Sequence, residues 1–209
     1  MGSFLTPPKD FFGYEHVDIQ QFSGNWTVPN GVKQIGVIVI GGGGGGSGYG
    51  SGNTFQSGGK GGCAIAFAMN VIPATVMPVY VGGGGMGAIG SGAGSSGGNS
   101  SFNGLTGGAG IGGLNVAGGT PPVDGVGIGG DWNGTVGPSI ASLGLLAPAF
   151  LQSTFIFWQT YSVGTIYGHG PFFWIGSGDT FGAGAAGSSG DYNLNNASGG
   201  KSGAVLFYY

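Results

Sequence analysis

Ile35-Gly36-Val37-Ile38-Val39-Ile40 runs without a break into Gly41-Gly42-Gly43-Gly44-Gly45-Gly46, and this junction decides the fold. Its first half is apolar on both alternating faces, which predicts a central strand covered on both sides. Its second half would pass for a linker, because six glycines bury no side chain and lose the most backbone entropy on ordering. A linker, however, has no use for a β-branched strand directly before it, and the pattern recurs at Val79-Tyr80-Val81-Gly82-Gly83-Gly84-Gly85. What glycine alone permits is backbone laid against backbone, as in the extended helices of collagen, whose crowded axis excludes any side chain. The glycines are therefore read as extended helices packed side by side.

Outward from the junction, Cys63-Ala64-Ile65-Ala66-Phe67-Ala68-Met69 alternates large and small without exception. One predicted face carries Cys63, Ile65, Phe67 and Met69, and the other is all alanine, which calls for a closely approaching layer such as glycine backbone. Upstream, Phe22, Gly24, Trp26 and Val28 fall on one side of a period-two strand that ends in the turn Pro29-Asn30-Gly31. Met77, Val79 and Val81 mark another strand, which Pro78 confines to an edge or bulge. Residues 82–130 hold glycine clusters at irregular spacing with single apolar or amide residues between them, as expected of a chain that doubles back repeatedly, with the reversals at the rim of the stack. Ala204-Val205-Leu206-Phe207-Tyr208-Tyr209 is read as a strand that pairs back into the sheet of the earlier strands.

Residues 1–21 form a docking arm in this reading, with Asp10, Glu15, His16 and Asp18 facing solvent or a partner, and residues 22–209 form the glycine-rich domain. Within that domain the composition switches at about 140–176 to a hydrophobic, aromatic insertion, which suits either a core or a displayed contact surface. The fold class is all-β: a β-sandwich framing a layer of packed extended polyglycine helices, rich in loops, with little or no α-helix.

Composition supports order over disorder. Of 209 residues 55 are glycine, yet the chain is 40% hydrophobic and carries 14 Phe, 8 Tyr and 4 Trp, which disordered chains lack. Four lysines, no arginine and a net charge of −3 speak against nucleic acid, whose phosphates require clustered cations. Cys63 stands alone and is read as a buried small hydrophobe. Neither a secretion signal nor a transmembrane helix is expected, so the protein is read as made in a host cytoplasm without a signal peptide.

Motifs for chemistry arise here by chance. Gly108-Ala109-Gly110-Ile111-Gly112-Gly113 and Gly125-Val126-Gly127-Ile128-Gly129-Gly130 satisfy a dinucleotide fingerprint but open no helix. Gly94-Ser95-Ser96-Gly97-Gly98 matches a nucleophile elbow without the strand-to-helix turn that such a serine needs. Asp124, Asp131, Asp179 and Asp191 are dispersed, which leaves a calcium site conceivable but unsupported. The chain is read as no enzyme, without cofactor or metal.

Several of these segments, in this order, carry a resemblance. Phe22-x-x-x-Trp26-Thr27-Val28-Pro29-x-Gly31-Val32, the strand into the six glycines, Gly58-Gly59-Lys60-Gly61-Gly62, Val79-Tyr80-Val81 with its glycines, Ser100-Ser101-Phe102 and the final Gly203-Ala204-Val205 resemble the glycine-rich domain of bacteriophage tail-fibre and virion proteins. Where that family has a Pro-Gly turn before the Val-x-Val-Gly strand, this chain has Pro73-Ala74-Thr75. The resemblance implies a virion protein, a tail-fibre or tail-tip component whose loops bind a host cell-surface receptor, protein or glycan. Partners would be other virion proteins through the arm and possible further copies of the chain. Candidate binding residues are the loop aromatics Tyr49, Phe55, Trp132, Phe155, Phe157, Trp158, Tyr161, Tyr167, Phe172, Phe173 and Trp174, which can stack on sugars or fit receptor loops. The alternative is a head decoration or other structural component buried against its neighbours.

Overall fold

The computed structural model describes residues 14, 16–48, 56–90, 92–115, 123–135, 197 and 199–209. Among them there is no helix. The apolar run before the glycines is β3 (Gln34–Ile40), the middle strand of an antiparallel five-stranded sheet. The order across that sheet is β1 (Val17–Gln20), β10 (Ala204–Tyr208), β3, β4 (Gly62–Asn70) and β9 (Trp132–Thr135). The C-terminal strand thus pairs back as expected, inserted between β1 and β3. Facing it are β2 (Gly24–Thr27) paired with β5 (Val76–Val79), and β6 (Ser100–Phe102), β7 (Leu105–Gly107) and β8 (Gly127–Ile128) in a second small sheet. Tyr80 and Ser101 exchange both backbone hydrogen bonds at 3.0 and 2.8 Å, which joins the two small sheets into one opposing layer.

Burial between the layers supplies the main core. Ile35, Val37 and Val39 of β3, Ala64 and Ala66 of β4, and Val205 and Phe207 of β10 meet Trp26, Val28, Val79, Phe102 and Leu105. Trp26 stacks flat on Phe207 at 4.1 Å, and Phe102 meets Phe207 edge-on at 4.7 Å, both preferred aromatic geometries. The indole N–H of Trp26 and the Tyr209 hydroxyl both donate to Asp18 Oδ2, at 3.0 and 3.2 Å, so β1 is tied to β2 and to the chain end. Burial first, then the Asp18 carboxylate, raises the Tyr209 phenol above its ordinary pKa. The other face of β3 and β4, with Ile38, Ile40, Cys63 and Ile65, forms a second buried cluster with Leu206 and Tyr208.

The alternation in β4 breaks at one place. Ile35 pairs with Met69 but Val37 pairs with Ala66, so Phe67 and Ala68 together oppose Gly36. This bulge reverses the phase. Met69 therefore packs with the alanine-face core and not beside Cys63, Ile65 and Phe67, as the unbroken sequence pattern had it. The Phe67 N–H donates at 2.8 Å to Asp131 Oδ2. Glycine does approach β4 closely, since a Cβ on Gly127 would lie 1.8 Å from the Cys63 carbonyl oxygen.

Two further differences concern the N-terminal region. Phe22 is 81% exposed and precedes β2, so only Trp26 and Val28 of the expected stripe are inside. Residues 17–20, assigned to the arm by composition, are the edge strand β1.

The strands do not end where the pleat ends; they continue into the glycine stack. Residues 41–48 are buried throughout, and their N–H groups are shared among three other runs in strict rotation. Gly41, Gly44 and Ser47 donate to Gly62, Gly59 and Gln56. Gly42, Gly45 and Gly48 donate to Gly98, Ser95 and Gly92, and Gly43 donates to Lys201, all at 2.8–2.9 Å. A β-strand directs its N–H groups to two sides only. A return to the same neighbour every third residue is the signature of an extended helix of three residues per turn. Burial repeats likewise along the next run, where Gly82, Gly85 and Ala88 are buried and Gly83, Met86 and Ile89 exposed. Contact is tight enough that glycine is obligatory: a Cβ on Gly44 would meet the Ile111 carbonyl oxygen at 2.2 Å.

Candidate functional site

Among the described residues, chain direction puts the outward ends of the runs at one end of the stack. Runs 41–48, 82–88 and 108–115 leave β3, β5 and β7 outward, while runs 56–61, 92–99, 123–126 and 199–203 lead back into β4, β6, β8 and β10. The described run ends Gly48 and Gln56, Gly90 and Gly92, and Asn115 and Val123 therefore stand at the end away from the sandwich. Eight residues of extended helix rise about 25 Å, so this far end stands well clear of the hydrophobic core.

Side chains finish the lattice where backbone acceptors run out. Near the far end, Ser47 Oγ accepts from the Gln56 N–H at 2.7 Å, and Gln56 Oε1 accepts from the Leu114 N–H at 3.1 Å. Both polar side chains are buried, Ser47 at 0% and Gln56 at 6% exposure, which requires that their polar atoms be partnered. The Ala88 carbonyl accepts from the Ala197 N–H at 2.9 Å. Ser95 Oγ, Ser96 Oγ and Asn99 Oδ1 take the N–H groups of Met86, Gly112 and Ala109. Asp124 Oδ1 takes that of Lys60 at 2.7 Å. Ser96 and Asp124, weighed above as a nucleophile and a calcium ligand, thus each hold a backbone amide. Exposed apolar side chains remain on the outside of this end, among them Met86, Ile89 and Leu114.

Of the sequence-derived candidates, Trp132 is the one inside the described residues. It opens β9 opposite Ile65, packs half-buried against the second core cluster, and lays its ring over Gly134, where a Cβ would come within 2.5 Å of it. It is a strand residue on the sandwich and not a rim aromatic. Tyr49 and Phe55, and the aromatics Phe155, Phe157, Trp158, Tyr161, Tyr167, Phe172, Phe173 and Trp174, lie outside the described residues, as do residues 140–176 as a whole. Sequence reasoning missed Ser47, Gln56, Ser95 and Asn99, because a lone polar residue in a Gly/Ser background carries no period. It also passed over Asn103-Gly104, although Asn-Gly between apolar residues is a strong hairpin signal; both have positive φ, 43° and 85°, in the β6–β7 turn.

Residues 18–209 match the family model of a glycine-rich domain. Among curated proteins none matches the chain.

Proposed function

We propose that this chain, which belongs to the glycine-rich domain family and whose described glycine runs lead outward from the sandwich and back, is a display protein of a phage particle. In this reading it is a receptor-binding component of the tail fibre or tail tip. The observation that carries the proposal is the outward-and-back course of the described runs, whose ends at Gly48 and Gln56, Gly90 and Gly92, and Asn115 and Val123 lie farthest from the core. Loops held by a backbone lattice can change sequence without disturbing any packed side chain, which suits a surface that must follow a varying receptor. Further support is the resemblance of the motif order to tail-fibre and virion domains. The proposed ligand is a host cell-surface protein or glycan.

The test is binding of fluorescently labelled intact protein to a panel of bacterial strains. A second protein in which 49–55 and 116–122 are replaced by Gly-Ser segments of equal length, with its melting temperature confirmed, is run beside it. Saturable binding to one or more strains that the loop replacement abolishes supports the proposal, and binding to none by the folded intact protein counts against it.

A second reading, a structural virion component buried against its neighbours, is favoured by a different observation. Phe22, Ile72, Val76 and Tyr80, each at least 60% exposed, lie on or beside β2 and β5 at the sandwich end. An apolar set of this size suits an attachment face. Charge substitution at Val76 and Tyr80 that abolishes incorporation into particles without affecting cell binding would assign that face to attachment.

A further inference from the structure

The dipeptide Asn-Gly occurs in this chain at Asn30-Gly31, Asn103-Gly104 and Asn133-Gly134, and each copy lies within the described residues. Asparagine is among the thermolabile residues. Its side-chain carbonyl carbon is one ring closure away from the amide nitrogen of the next residue, and a glycine there puts no side chain in the path. The fold holds the three copies in different ways.

Asn133 and Gly134 belong to β9, where they pair with Ala64 and Cys63 of β4. The Asn133 amide is held at both ends, Oδ1 accepting from the Gly130 N–H at 2.9 Å and Nδ2 donating to the Gly130 carbonyl at 2.8 Å. Ring closure there requires both side-chain bonds to break and the strand to leave its ladder. Asn103 and Gly104 are the two-residue loop of the β6–β7 hairpin. Their closing pair, Phe102 and Leu105, is buried, which fixes so short a loop from both sides. Asn103 Nδ2 also donates to Met69 Sδ at 3.3 Å.

Asn30 is placed otherwise. It and Gly31 are exposed, in a turn between β2 and β3 that closes through the Val32 N–H on the Pro29 carbonyl at 3.2 Å, the upper end of the usual range. Gly31 has a φ of 84°, and a Cβ built on it would meet nothing within 4 Å, so the space beside its nitrogen is open. The firmer ties lie on either side of the turn. Val28 donates to the Thr75 carbonyl at 2.9 Å and accepts from Ala74 at 3.0 Å, and the Lys33 carbonyl accepts from Val71 at 2.9 Å. Residues 29–32 are therefore free to rearrange while both ends of the turn stay anchored.

We propose that Asn30 is a site of spontaneous conversion to aspartate and isoaspartate, and that the fold protects Asn103 and Asn133 from the same reaction. The Gly31 nitrogen, on losing its proton, attacks Asn30 Cγ. The bond from Cγ to the side-chain nitrogen breaks, and that nitrogen takes up a proton and leaves as ammonia, which closes a succinimide ring across residues 30 and 31. Water then opens the ring at either carbonyl, giving aspartate or isoaspartate. One water is consumed and one ammonia released. The product carries a carboxylate at the end of the sandwich away from the stack, since β3 leads from this turn outward into the glycines. The assignment stands whatever the far end binds.

Incubation of the full-length protein in mildly alkaline heavy-oxygen water, followed by peptide mapping with mass spectrometry, tests it. Heavy oxygen enters only at residues that react during the incubation. In the folded protein Asn30 converts at least about tenfold faster than Asn133 and Asn103, because those two must first break hydrogen bonds or open a hairpin. In concentrated urea the three rates come within about threefold of one another, because the unfolded chain no longer distinguishes the sites. Absence of label at Asn30, or a rate there no higher than at Asn133, overturns the assignment. The same ranking with the same spread in urea overturns it too, because local sequence and not the fold would then decide which asparagine reacts.

Discussion

Gly44→Ala adds one methyl group to a chain of 209 residues, and the structure makes it one of the most damaging substitutions available. The new Cβ would stand 2.2 Å from the Ile111 carbonyl oxygen, 2.5 Å from its carbon and 2.9 Å from the Gly112 nitrogen. Ordinary contact needs more than 1 Å of additional separation, and what must move is backbone. Moving runs 41–48 and 108–113 apart by that amount stretches the bonds from Gly110 to Gly42 and from Gly113 to Gly45, now 2.9 and 2.8 Å, beyond hydrogen-bonding range. Two lost bonds at about 1 kcal/mol each, with buried groups left unpaired at about 1–3 kcal/mol, outweigh the 0.4–1 kcal/mol that alanine contributes by restricting the unfolded chain. The net loss is roughly 2–4.5 kcal/mol, a large part of a typical domain's stability. Gly83→Ala is the matched control, because no atom lies within 4 Å of its Cβ and its φ is not positive; it should stabilise by roughly 0.4–1 kcal/mol. Urea unfolding followed by tryptophan fluorescence reads both. If Gly44→Ala is neutral, or if the two variants are equally destabilised, close backbone packing does not explain the glycine content.

Other consequences can be checked in the same way. Ala74 holds φ at 60° in the turn where the resembling family has Pro-Gly, so Ala74→Gly should stabilise by about 1 kcal/mol, and an unchanged or lower urea midpoint would contradict the strain. Burial pushes the Cys63 thiol up to about 12 from 9.0. A raised folded pKa contributes stability that is whole below pH 9 and is lost as pH rises through 12, at about 1.4 kcal/mol per pH unit. Cys63→Ala should show a shallower alkaline decline than the parent, with the residual slope including Tyr209. Trp26→Phe removes the N–H donated to Asp18 and shrinks the stack on Phe207, and should cost roughly 2–3 kcal/mol in chemical denaturation.

How much of this was legible depended on whether a residue carried a pattern. The junction of Ile40 with Gly41 announced both the central strand and the backbone packing, since β-branched residues before six glycines conflict with a linker. The all-alanine face of β4 announced the close layer that Gly127 provides. The bulge at Phe67 and Ala68 was not legible, because the alternation through it is unbroken in sequence and the phase shift arises from pairing with Gly36. Nor was the threefold rotation along 41–48, since identical residues have no period and direction enters only through the neighbours. At the candidate site the contrast is the same: Trp132 drew attention as an aromatic among glycines but belongs to β9, while Ser47 and Gln56, which hold the far end together, stood in a background that hid them.

The most direct measurement is a long-range HNCO experiment on deuterated protein, which detects couplings across individual hydrogen bonds. The account predicts that three consecutive amides, Gly43, Gly44 and Gly45, couple to the carbonyls of three different runs, at Lys201, Gly59 and Ser95. Couplings from Gly43 and Gly45 to one shared neighbouring segment would mean that the glycines form an ordinary β-strand, and the stack on which the proposed display function rests would be wrong.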